Sequence, residues 1–61
     1  MPLPRIVIEA QDRMHEAENE LRADIDSAHP IDLARRRTLV ENLQRRIQEY
    51  EYAVAELLPH P

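Results

Sequence analysis

The feature that most constrains this chain is an apolar seam between Leu33 and Leu57. Leu33, Val40, Leu43, Ile47, Tyr50, Val54 and Leu57 recur at steps that, after the first, alternate between three and four residues. That spacing puts them on one stripe of a long helix, and such a stripe has to be covered. A second seam precedes it: Val7, Ala10, Met14, Ala17, Leu21, Asp24 and Ala28. Between the two stands Pro30, which cannot continue a helix, disfavours helical geometry at His29 and can open the next helix. If the chain folds back there, residues in one layer have numbers that add to a constant. Leu21 meets Val40, Ala17 meets Leu43, Met14 meets Ile47, Ala10 meets Tyr50, Val7 meets Val54 and Leu3 meets Leu57. Every pair adds to 60 or 61, a register that independent helices have no reason to share. Small residues face large ones at Ala10–Tyr50 and Ala17–Leu43, which favours close interdigitation.

The pattern predicts an all-α fold, an antiparallel helical hairpin of two long helices that dimerises into a four-helix bundle. Helix 1 is expected over about residues 4–27, with Pro4 in its first turn. The turn falls at 28–30. Helix 2 is expected over about 31–58, with Asp32 in its first turn, where the helix dipole favours an anion. Pro59 and Pro61 end it, and residues 1–61 form a single domain. The β-branched run Ile6-Val7-Ile8 leaves a short strand over residues 5–9 as the alternative to helix. Glu9–Arg13 and Glu18–Arg22 are spaced for favourable pairs along helix 1.

Composition narrows the function classes. A chain of 61 residues buries only about 60% of its unfolded surface, so a lone monomer is marginal. There is no cysteine for a disulfide or thiolate site, and no glycine for a phosphate-cradling loop. Phenylalanine and tryptophan are absent too, so the core is aliphatic. The net charge is −4, with 12 acidic residues against 8 basic ones, all arginine, which argues against nucleic acid as the main partner. No apolar run reaches the 18 or more residues of a membrane span, and the N-terminus lacks the features of a signal peptide, so a cytoplasmic location is the default.

No residue set converges on catalysis, and no cofactor or metal is implied. Asp12 and His15 are three apart, the spacing of the Glu-x-x-His pairs of di-iron bundles, but Met14 holds the seam and turns both away from it. The first nine residues, with Pro2 behind a removable Met, resemble the small tautomerases, whose N-terminal proline amine acts as a base at the head of a strand. This chain has no later strand and no glycine turn to complete that fold. The short hairpin resembles in shape the plasmid-encoded regulator Rop, which implies a dimeric bundle binding RNA through arginines such as Arg35–Arg37, Arg45 and Arg46. Glu41, Glu49 and Glu51 interleave those arginines, and no aromatic stacking platform accompanies them.

Two more features remain: a charge cluster read as fixing the hairpin, with an anion or partner site at the turn as the alternative, and an apolar set read as pointing to another chain. Asp24 and Arg36 are the only charges on either seam and fall in one layer. With Asp26 near Arg35, and with Arg37, they form a charged cluster at the turn that offsets badly placed helix-end charges and fixes the register. Ile6, Ile8, Leu39, Ala53 and Leu58 lie off both seams, so one hairpin leaves them for a partner. Helix 1 also carries an acidic face from Asp12 to Glu20. The reading is a non-enzymatic protein–protein interaction module: an assembly factor, regulator or accessory subunit that pairs with itself, with a larger protein, or with both.

Overall fold

The computed structural model describes residues 3–27 and 30–58, and within them the chain is two helices packed antiparallel. Helix α1 spans Arg5–Ser27 and helix α2 spans Leu33–Ala55, each 23 residues, or about 35 Å at 1.5 Å per residue. The run Ile6-Val7-Ile8 is helical, because Val7 faces α2 and the Pro4 carbonyl accepts from the amides of Val7 and Ile8 at 3.1 and 3.2 Å. The expected turn at 28–30 lies partly outside the described residues; Pro30 is a bend.

Both ends of α2 differ from expectation. The helix starts at Leu33, not at residue 31, because Asp32 leaves the helix with φ −102° and ψ 100° to serve as its N-cap. Its Oδ1 accepts from the Arg35 amide at 3.0 Å, which satisfies one of the four orphan donors of the first turn. At the other end the helix stops at Ala55. The chain then tightens, with Leu57 N–H donating to the Val54 carbonyl at 3.0 Å and Leu58 N–H to that of Ala55 at 3.2 Å. Such three-residue steps close off a helix before a residue, here Pro59, that has no amide to continue it.

The expected register is present at both ends of the layer. Val7 and Ala10 are buried with Ala53, and Tyr50 and Val54 pack against them. At the far end Arg36 reaches Asp24. Depth of burial is another matter. Among the described apolar residues only Val7, Ala10, Ala17 and Ala53 are buried. Met14, Leu21, Val40, Leu43, Ile47, Tyr50 and Val54 are half-buried, and Leu3, Leu33 and Leu57 are exposed. Two helices touch along one narrow line, and small residues occupy that line because they allow close approach. The larger side chains stand beside it. The radius of gyration of 14.5 Å, against roughly 10.5 Å for a compact chain of this length, reports the same thing.

Candidate functional site

Two places on the hairpin gather side chains beyond what its own packing uses. The first is the turn end. The Asp24 side chain is only 8% exposed and lies between two guanidinium groups. Arg36 Nε donates to its Oδ2 at 3.1 Å, and Arg35 Nε stands 3.4 Å from its Oδ1. Arg36 Nη2 also donates to the Asp24 backbone carbonyl at 3.4 Å. That carbonyl belongs to the last turn of α1, where carbonyls lack helical partners and carry the negative end of the dipole. One arginine thus answers both a buried carboxylate and a helix terminus. The other expected members stay apart. Asp26 is exposed, and Arg35 pairs with Asp24 instead of with it. Arg37 points away to Glu41 at 3.5 Å. An open groove of about 460 Å³ adjoins the cluster, and Leu39 lines it together with Asp24, Asp32 and Arg35.

The second place is the open end. Ile6, Ile8 and Leu58 are exposed there, as are Leu3, Leu57 and Tyr52. Ala53, expected on a partner surface because it lies off the seam, is instead buried inside the hairpin at 6% exposure. The contact line on α2 is rotated toward Arg46 and Ala53, and that rotation turns Ala53 in and Leu33 out. Tyr52 is the member the apolar spacing misses. It lies beside Ile6, Ala10 and Ala53 in a groove of about 320 Å³, rimmed by Arg13, Glu49 and Glu56.

Elsewhere among the described residues three ion pairs form, Arg5–Glu9, Arg37–Glu41 and Arg46–Glu49. Glu9 is taken by Arg5 at 2.9 Å and not by Arg13, and Arg46 Nη1 donates to both carboxylate oxygens of Glu49 at 2.7 and 3.1 Å. Asp12 and His15 are exposed, and among the described residues no group of three or more His, Asp or Glu is placed to hold a metal ion. No helix among them is long and apolar enough to cross a membrane.

Residues 1–56 match the family model described as ATP synthase delta (OSCP) subunit. The chain belongs to that family. No curated protein sequence and no solved structure matches it. The OSCP description names a subunit of a larger complex, which is the setting that an apolar open end on a short hairpin suits.

Proposed function

We propose that this hairpin is a non-enzymatic subunit of ATP synthase, held to the rest of the complex through its apolar open end. The match to the delta (OSCP) family over residues 1–56 carries the reading. The contact surface is Ile6, Ile8, Leu58 and Tyr52, four large exposed side chains near the open end of the helix pair. Exposed apolar patches of that kind mark contact with another chain. Leu39 sits apart from this surface, beside the turn. The hairpin works outside the lipid and brings no catalytic group of its own.

The Rop-like reading finds no such support. Of the five arginines on α2, Arg35 and Arg36 are committed to Asp24, Arg37 to Glu41 and Arg46 to Glu49. Arg45 is left, which is too little for a phosphate-binding face.

The test is co-migration of the purified chain with ATP synthase from the same organism in size-exclusion chromatography. The full-length chain should travel with the complex. Ile6→Asp and Leu58→Asp should release it while leaving helicity, measured by circular dichroism, unchanged. A folded chain that stays separate at micromolar concentration defeats the proposal. Two variants that both still co-migrate would remove the open end from the contact.

A further inference from the structure

The hairpin is a single layer, 50 × 21 × 11 Å, and its two broad faces are chemically unlike. At about 100° per residue, Met14, Leu21 and Ile25 stand on one flank of the line through Ala10, Ala17 and Asp24, and Arg13 and Glu20 stand on the other. On α2 the corresponding flanks carry Val40, Ile47 and Val54 on one side, and Asn42, Glu49 and Glu56 on the other. The grooves show which flanks belong together. Leu21 and Ile25 share one of about 330 Å³ with Leu43, whereas Arg13, Glu49 and Glu56 line the opposite face. One face is therefore apolar along most of its length, and the other is polar except near Ile6 and Tyr52.

We propose that the apolar broad face pairs with the same face of a second copy, giving a two-fold four-helix bundle. Three observations select that occupant. Stable α domains need two packed layers, and a second copy is a layer of the same length and width. The chain exposes 5272 Å², against about 4,100 Å² for a compact monomer of its mass, an excess of about 1,200 Å². Stable interfaces take about 800 Å² per partner. The rim is self-complementary as well. Glu18 and Arg22 flank the Leu21–Ile25–Leu43 groove, and among the described residues neither joins an ion pair within the chain. A two-fold axis crossing α1 near residue 20 sets Glu18 of each copy opposite Arg22 of the other, as an isologous interface requires.

This pairing uses a different surface from the open end, so its failure leaves the ATP synthase reading standing and the converse also holds. Sedimentation equilibrium of the full chain should give twice its 7.2 kDa mass. Ile25→Asp should abolish the dimer. Glu18→Arg and Arg22→Glu should each weaken it about tenfold, because two facing pairs turn from attraction to repulsion. An equimolar mixture of those two variants should restore wild-type affinity as a heterodimer, since each then meets its opposite. A helical chain of single mass at high micromolar concentration overturns the proposal. A dimer indifferent to Ile25→Asp, or a charge-variant mixture no tighter than its components, assigns the contact to another face and overturns it too.

Discussion

Removing Arg36 should cost more than removing Arg35, although both touch the same carboxylate. The Arg36 side chain is 26% exposed and the Arg35 side chain 70% exposed, with Asp24 nearly buried between them. Hydrogen bonds to charged groups contribute about 1.5–3 kcal/mol, and breaking a fully buried pair costs about 3–5 kcal/mol. Partial solvation of Arg36 and the second guanidinium nearby lower both figures. Arg36→Ala is therefore expected to destabilise by about 1.5–2 kcal/mol, and Arg35→Ala by less than about 0.5 kcal/mol, the level of an exposed pair. The Asp24–Arg36 coupling in a double-mutant cycle should be about 1–1.5 kcal/mol. Replacing both by Leu should be neutral or stabilising, because no unpaired charge is then left buried. Urea unfolding followed by far-ultraviolet circular dichroism measures all of these, at one fixed protein concentration because association shifts the midpoint. Additivity of Asp24→Ala and Arg36→Ala within about 0.3 kcal/mol, or a larger coupling to Arg35 than to Arg36, refutes the reasoning.

Asp32→Ala removes the α2 N-cap and should cost about 1 kcal/mol in thermal or urea unfolding, with Asp32→Asn close to wild type. Ala17→Leu forces a branched side chain into a buried position, 3% exposed, and should cost about 1–3 kcal/mol. Leu43→Ala should cost about 1–2 kcal/mol in a monomer, where Leu43 is half-buried, and should approach the usual 2–5 kcal/mol only where a second layer covers it, so the loss should grow with protein concentration. Leu33→Glu should stay within about 0.5 kcal/mol, since Leu33 is 75% exposed.

The fold was legible because helix period, a proline break and one arithmetic register all agree. Val7 with Val54, Ala10 with Tyr50 and Asp24 with Arg36 could be paired from numbering alone; the structure packs the first four into one cluster with Ala53 and joins Arg36 to Asp24. Spacing reports direction around a helix but not depth. It therefore gave Met14, Leu21 and Ile47 the same standing as Val7, although two helices offer only one thin line of full burial. The choice among ionic partners was equally out of reach. Arg5 and Arg13 are each four residues from Glu9, and spacing alone does not rank them; Arg5 takes it. The family was not legible from apolar spacing or charge pairing; it comes from the match over residues 1–56.

The position of the Asp24–Arg36 pair has a kinetic consequence. Its ends are 12 residues apart, whereas Val7 and Val54 at the far end of the layer are separated by 47. Closing the longer loop directly costs about 1.2 kcal/mol more chain entropy, from (3/2)RT ln(47/12). Folding is accordingly cheapest from the turn outward, each layer shortening the loop that the next must close. The last layer to form, and the first to open, is the one that carries Ile6, Ile8 and Leu58. Amide hydrogens there should exchange faster than those near Leu39 and Val40, and a partner bound at that end would slow them selectively.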